Sequence, residues 1–445
     1  MNKLLIKDTV IINEGIRTVG DIYIEDEFIK KIGVNINLDN EVKIINGNGY
    51  IAIPGMIDDQ VHFREPGLTH KGDIRSESKA AIAGGVTSYF EMPNTSPNTT
   101  SVKEFENKIK IASDNSFANF SFMLGGTNDN INEIKGLDEK QVAGIKLFLG
   151  SSTGKMLIDN KISIENIFNS TSLPISAHCE DEQTIKNNTV HYKRLYGEDI
   201  PISAHPEIRN ENACYKSSNF AVTLAKKTGA RLNVFHISTA IELDLFDGNI
   251  DLNDKKITSE VCAHHLWFTD DDYNKLGSKI KWNPAIKSKG DRDALWKAIK
   301  DNKIDIIASD HAPHTIEEKN NKYLNCPSGG PMVQHTIISL LQNCERYGVS
   351  IEKIVEKIAH NPAKIFKVNK RGFLREGYYA DIVLIDTNTP THVTEESLLY
   401  KCGWSPFEGQ KFDNSIHKTI LNGNVVYEDG IVNSIPYGKK ITFNR

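Results

Sequence analysis

Short runs of β-branched residues with partial alternation mark both ends of the chain. Leu4–Ile12, Asp21–Glu25 and Phe28–Ile32 carry this pattern, with turn residues between them. A period of two is the signature of strands packed on one face. Ala380–Ile385 and Thr419–Tyr427 repeat it near the other end, and Asn422-Gly423 inside the second run is a hairpin-turn signal. From Ile51 to about Val368 the pattern changes, and short continuous apolar runs alternate with longer helical stretches. The predicted strands there are Ser88–Glu91, Phe120–Leu124, Gly144–Leu149, Pro174–Ala177, Leu232–Phe235, Lys256–Val261 and Ile304–Ala308, with Ile51–Ile53 leading into the first of the series. Continuous apolar runs suit parallel strands buried on both faces. Arg75–Ala83 reads as a helix stopped by Gly84-Gly85. Eight strand–helix units predict an α/β fold, a (β/α)8 TIM barrel, with β-rich ends. The Asn-rich stretches Asn128–Asn132 and Asn320–Asn321 read as surface loops.

Composition narrows the function classes. A chain of 445 residues buries a large core without disulfide staples. Its six cysteines include no Cys-x-x-Cys pair, which argues against a zinc knuckle or a thioredoxin-like redox pair and for free thiols in a reducing compartment. With 53 basic against 58 acidic residues, the net charge of −5 carries no footprint for nucleic acid. The apolar run at the start is too short for a signal peptide, and no stretch approaches the ~20 apolar residues of a membrane span. The expectation is a soluble, cytoplasmic protein acting on a small molecule, with no nucleic-acid or membrane partner.

Candidate chemistry sits where barrel enzymes place it, just past the C-terminal ends of the strands. The first strand leads to Asp58-Asp59-Gln60-Val61-His62-Phe63-Arg64-Glu65-Pro66-Gly67, and the second to Met92-Pro93-Asn94-Thr95. Lys146 lies inside Gly144–Gly150. His178-Cys-Glu-Asp181, His236-Ile-Ser-Thr239 and Asp310-His311-Ala-Pro-His314 end later strands. A lone His at a strand end is more often structural, a lysine in an apolar strand usually snorkels to water, and an Asp-His pair can merely cap a helix. Three His, one Asp and one Lys, all at barrel-strand ends, form a constellation that chance does not explain. Imidazole and carboxylate suit Zn2+, which makes water acidic near neutral pH. A buried lysine of lowered pKa is nucleophilic, and by taking up carbon dioxide it becomes a carbamate able to bridge two metals. His264-His265, at the end of the seventh strand, read as packing residues. Trp267, Trp282 and Trp296 read as core or helix-surface packing, and Glu317–Lys322 as a solvated loop or part of a lid.

The string Asp58…His62-Phe63-Arg64-Glu65-Pro66-Gly67 resembles the metal motif of the dihydroorotases, members of the amidohydrolase superfamily. Met92-Pro93-Asn94-Thr95, Lys146-Leu-Phe, His178, His236-Ile-Ser-Thr, Asn283-Pro284 and Asp310-His-Ala-Pro-His314 are similar to further segments in the same order, as are Asn361-Pro-Ala-Lys and Gly377…Ala380-Asp381. The resemblance covers nearly the whole chain. It implies a barrel over residues 53–368 beside a small β-sandwich built from residues 1–52 and 369–445. It implies reversible, metal-dependent cyclisation of N-carbamoyl-L-aspartate to dihydroorotate in pyrimidine synthesis. It implies Zn2+, one or two ions per chain, with carbamylated Lys146 as bridge, His178 and His236 at one ion, and His62 and Asp310 at the other. Asp310 would also move the proton between water and the ring nitrogen. Arg64 and Asn94 would grip the substrate carboxylate with help from His314, and Asn283 would touch the ring. A homodimer is compatible with this reading.

The resemblance breaks at Gln60, where the family usually has the first His of His-x-His. An amide oxygen is a poorer zinc ligand than imidazole, so metal is expected at both positions but held less firmly beside Gln60. Two rival readings stand. Allantoinases and hydantoinases act on cyclic amides lacking the carboxylate, which would leave Arg64 without an obvious partner. A non-catalytic scaffold of dihydroorotase type would suit Gln60, but such a protein need not keep Lys146, His178, His236 and Asp310 together.

Overall fold

The computed structural model describes residues 2–38, 41–150 and 156–445. The N-terminal strands are β1 Lys3–Asn13, β2 Ile16–Glu25, β3 Phe28–Gly33, β4 Lys43–Asn46 and β5 Tyr50–Pro54. The barrel strands follow: β6 Met56–Val61, β7 Val86–Glu91, β8 Asn119–Gly125, β9 Gly144–Phe148, β10 Ile175–His178, β11 Leu232–Val234, β12 Ile257–Cys262 and β13 Ile306–Ala308. After them come β14 Ile382–Asp386, β15 Thr391–His392, β16 Lys411–Phe412, β17 Ser415–Leu421, β18 Asn424–Glu428 and β19 Ile431–Val432.

Strands β6 to β13 pair in parallel in chain order, and a parallel bridge between Val61 and His311 closes the ring. Every residue of β6, β7, β8 and β9 is buried, as the continuous apolar runs require of strands covered on both faces. The helix after β6 spans Ile74–Ala83; Asp73 caps it, and Gly85, at φ +79°, turns the chain back into β7. Two readings shift. Ile51–Ile53 belongs to β5 in the terminal sheet and not to the barrel, while Asp58 to Val61 lie inside β6 and not past its end. Asn132 sits in a short helix, Ile131–Lys135, where a loop was expected.

The chain ends build one sheet, ordered β19-β18-β17-β14-β5-β1-β2-β3, with β4 also pairing with β1. The two ends meet where β5 runs antiparallel to β14, Ile53 opposite Val383. Leu4, Ile6, Ile22, Ile24, Ile45, Ile382 and Leu384 converge in the buried cluster of this layer. Asn422-Gly423 turns β17 into β18 with both residues at positive φ, +49° and +76°, as a two-residue hairpin loop requires. The architecture is a TIM barrel plus a β-rich domain. Among the described residues no helix is long and apolar enough to cross a membrane.

Asp381 joins sheet and barrel. Its carboxylate accepts hydrogen bonds from the Arg371 guanidinium, from Asn119 Nδ2 on β8 at 3.2 Å and from the Asn422 amide at 2.9 Å. Arg371 and Asp381 are both buried. Breaking a buried pair by removing one partner strands the other charge. Asp381→Ala is therefore expected to lose about 3–5 kcal/mol of stability, read by denaturant unfolding; a loss under ~1 kcal/mol, the scale of an exposed pair, would show that water reaches Arg371.

Candidate active site

All ten sequence-predicted site residues line one cavity at the C-terminal ends of the barrel strands: Gln60, His62, Arg64, Asn94, Lys146, His178, His236, Asn283, Asp310 and His314. Phe148, Trp282, Ala312, Ser328 and Gly329 complete the wall. A larger groove of about 580 Å3, lined by Asp305, Lys357 and His360 among others, lies elsewhere and holds none of them.

Local structure fixes each donor. Asp58 Oδ1 accepts from the amides of Gln60 at 3.3 Å and Ser309 at 3.2 Å, tying the ends of β6 and β13 together. Arg64, His236 and Asp310 occupy the left-handed region, at φ +70°, +41° and +45°. Such conformations are costly outside glycine and concentrate at functional sites. Gly329, at φ +128°, has no alternative, because a Cβ there would meet the Ala312 carbonyl oxygen at 2.5 Å.

The metal-donor candidates converge in two groups. His178 Nδ1 faces His236 Nε2 at 2.9 Å, and His62 Nε2 lies 3.3 Å from Asp310 Oδ1. His62 Nδ1 is 2.8 Å from Asn94 Oδ1, so Nδ1–H donates to that amide oxygen and Nε2 keeps its lone pair for the cavity. His178 is steadied by Glu180, whose Oε2 lies 3.0 Å from Nε2. Against the cost of burial, the Arg209 guanidinium and His178 hold that carboxyl down to about 2. Burial pushes His62, His178 and His236 below the usual imidazole range, leaving neutral rings, the form that binds metal.

Lys146 is fully buried, and its Nζ has no hydrogen-bond partner. It lies 4.0 Å from the centroid of the Phe235 ring and 5.0 Å from that of Phe148. Burial lowers its pKa to about 8. Burial likewise raises Asp310 to about 7, even with Lys146 nearby. An orphaned amine, two imidazole nitrogens facing each other and an acid of raised pKa around one cavity are what metal donors look like without the ion. The residues present fit a zinc-type centre.

Arg64 lies on the other wall. Its Nε donates to the Pro313 carbonyl at 3.0 Å, and Nη2 lies 3.0 Å from His314 Nε2. Burial and the neighbouring Arg64 push His314 well below its ordinary range. Nε2 of that neutral ring lies between the Arg64 guanidinium and the Ser328 carbonyl oxygen, 3.1 Å away, and Nδ1 lies between Lys71 Nζ at 3.1 Å and Glu318 Oε2 at 3.4 Å. Lys71 Nζ closes the network, 3.0 Å from Glu318 Oε1. Asn283 Oδ1 is buried without a hydrogen-bond partner. His311 stands apart: Nε2 lies 2.8 Å from Glu77 Oε2, and Nδ1 accepts the Met332 amide at 3.0 Å, so this histidine braces the loop.

Sequence reasoning missed several neighbours and misread others. Lys71 gave no signal beyond ordinary surface charge, and Glu180, inside the His178-Cys-Glu-Asp181 segment, was given no role. Trp282 packs in the core as expected, fully buried, and its ring also borders the cavity and donates Nε1–H to the Asp310 carbonyl at 3.3 Å. The Glu317–Lys322 run is not wholly solvated: Lys319 is buried and donates to the carbonyls of Pro327 at 3.0 Å and Gly329 at 2.8 Å, fixing the cavity wall.

The amidohydrolase family model matches residues 51–426. A dihydroorotase of Clostridioides difficile (strain 630) is 32% identical over 411 residues, covering 92% of this chain and 95% of that protein. An allantoinase of Desulfitobacterium hafniense (strain Y51) is 30% identical over 453 residues, covering 98% of each. Among solved structures, the L-hydantoinase (dihydropyrimidinase) of Arthrobacter aurescens superposes with a TM-score of 0.94 at 25% identity, covering 99% of this chain and 100% of that one.

Proposed function

The chain belongs to the amidohydrolase family, and within it we propose a zinc-dependent dihydroorotase that interconverts N-carbamoyl-L-aspartate and dihydroorotate. The supporting observation is Arg64. A buried guanidinium shares one cavity with the metal donors, and its hydrogen-bond partners there, a carbonyl and a neutral imidazole, leave its charge for an anionic ligand. The forked donors of arginine suit a carboxylate, which dihydroorotate has and which allantoin and hydantoin lack. Relatives named dihydroorotase support the same choice.

Lys146 as a carbamate, His178 and His236 would hold one ion, and His62, Asp310, Gln60 and the same carbamate the other. Bound zinc supplies Lewis acidity and an acidified water. In the hydrolytic direction the ring C–N bond breaks, the water oxygen joins the carbonyl carbon and a proton passes to the departing nitrogen. Asp310 carries that proton. Arg64, with Asn94 and His314, holds the carboxylate. Asn283 Oδ1, an acceptor without a partner, suits a ring N–H. Phe148 and Trp282 keep bulk water from the reacting bond. Six unpaired cysteines suit a reducing compartment, and we place the enzyme in the cytoplasm.

Arg64→Lys tests the substrate. Losing the fork is expected to lower kcat/KM for dihydroorotate about 30–1000-fold, roughly 2–4 kcal/mol of transition-state binding. An unchanged value, with brisk turnover of allantoin or hydantoin by the parent protein, would replace this reading with that of the allantoinase relative.

A further inference from the structure

The catalytic reading leaves the end of the seventh barrel strand unused. Strand β12 stops at Cys262, and a helical turn, Ala263–Trp267, starts at once. This abrupt switch brings three side chains together. One ligand atom each from Cys262, His264 and His265 lies within 4.8 Å of the other two, and all three residues are buried. Among the described residues this is the one cluster of three His, Cys or acidic side chains so close.

Partner accounting sets these histidines apart from packed core residues. His265 Nε2 lies 3.1 Å from the Pro284 carbonyl oxygen, so its N–H points there and Nδ1 carries the lone pair. That Nδ1 is buried and has no hydrogen-bond partner. A backbone carbonyl holding the far N–H is the usual way a protein orients a ligating imidazole. His264 stacks on Trp282, with centroids 4.4 Å apart and planes 14° from parallel. Apart from a weak approach to the Ser309 backbone, its two nitrogens are unpartnered as well. Buried polar atoms are almost always paired, and three orphans on adjacent residues need a cause. Burial keeps both rings neutral, His265 with a pKa of about 3. The Cys262 thiol lies 3.6 Å from Glu260 Oε1 and 3.7 Å from Gln60 Oε1. Burial holds both this thiol and the Glu260 carboxyl well above their ordinary ranges, and Gln60 and Trp282 line the catalytic cavity.

We propose that Cys262, His264 and His265 bind a zinc-class divalent cation in the cavity wall behind Gln60 and Trp282, separate from the catalytic donors. One thiolate and two imidazoles form a borderline-soft set that selects zinc over magnesium or calcium. On binding, the thiol gives its proton to water and sulfur bonds the cation, with no change of oxidation state. The ion pins the turn after β12 and, through the His264 stack, the Trp282 side of the cavity. The pair His264-His265, read from sequence as packing, becomes a metal site on the strength of its orphaned nitrogens.

Cobalt substitution tests this without reference to turnover. The assigned catalytic donors are nitrogen and oxygen only, so a near-ultraviolet thiolate-to-cobalt charge-transfer band in the Co2+-loaded full chain reports a Cys262-bound ion, and its behaviour without Lys146 separates that ion from the catalytic ones. The band is expected in the parent protein, expected to persist in Lys146→Ala, and expected to vanish in Cys262→Ser with the loss of one metal equivalent by elemental analysis. His265→Gln keeps the thiol and is expected to release cobalt to chelator more readily. If Cys262→Ser fails to fold, X-ray absorption of the zinc protein decides instead through a sulfur shell near ~2.3 Å. Absence of the band and of the sulfur shell at full loading, or a band surviving Cys262→Ser, would overturn the proposal while leaving the catalytic reading standing.

Discussion

Asp310→Asn is expected to fold normally and to lose about 10²–10⁴-fold in kcat, which corresponds to roughly 3–5 kcal/mol of barrier. The side chain is nearly isosteric, and the backbone demand is met as well. Asp310 sits at φ +45°, and Asn tolerates the left-handed region as Asp does. What changes is proton affinity. Asp310 is 4% exposed, and in the metal-free protein burial raises its carboxyl to about 7; beside a bound water its carboxylate can take a proton and pass it on. An amide can do neither. Steady-state kinetics in both directions, beside a thermal unfolding curve, separate the two effects. Turnover within tenfold of the parent would assign the proton to another group.

What the sequence revealed follows from how local each signal was. The Asn422-Gly423 turn and the Gly84-Gly85 helix stop were legible because turn geometry is a property of two or three residues. The barrel strands were legible because burial on both faces leaves an unbroken apolar run. The same logic blurred the first of them. Asp58, Asp59 and Gln60 break the run with polar residues, so β6 read as ending where it in fact continues. Those polar residues are buried, and partners from distant strands compensate: the Ser309 amide for Asp58, and Asn233 for Asp59, at 3.3 Å. No window along the chain contains both members of such a pair.

The site shows the same division. Residue types at strand ends identified the metal-donor candidates, because metal chemistry demands particular side chains, and the family resemblance supplied the substrate contacts, Asn283 among them. Their supporting partners were out of reach. Asn94, read as a substrate contact, also holds His62 in its tautomer through the 2.8 Å contact to Nδ1. Lys319 looked like one charge in a solvated run, yet its ammonium gathers the carbonyls of Lys281, Pro327 and Gly329 under the cavity wall. A charge run announces solvent only when no backbone lies close enough to replace it.

Lys146 carries the second large effect, and two measurements on one variant pull in opposite directions. Lys146→Ala removes the amine that would take up carbon dioxide: the neutral nitrogen attacks the carbon, a proton leaves, and a carbamate remains. Turnover is expected to fall to background, at least the ~10⁴-fold upper range of a single acid–base group, and metal content to fall with it. Short carboxylic acids, supplying two oxygens in the emptied space, are expected to restore part of both. The metal-free protein should answer differently. There Lys146 is an unpaired ammonium with no exposure, and burial depresses its pKa from 10.5 to about 8. A lysine depressed in the folded state penalises folding fully below pH 8, and the penalty fades as pH rises from there through 10.5. Lys146→Met, which keeps the volume without the charge, is therefore expected to stabilise the metal-free protein at neutral pH by about 1–3 kcal/mol, with the gain vanishing near pH 10.5. Chelator-treated parent and variant, compared by denaturant unfolding across that range, provide the check. A variant less stable at pH 7, or a gain independent of pH, would mean that the amine has a partner and is not held in wait for carbon dioxide.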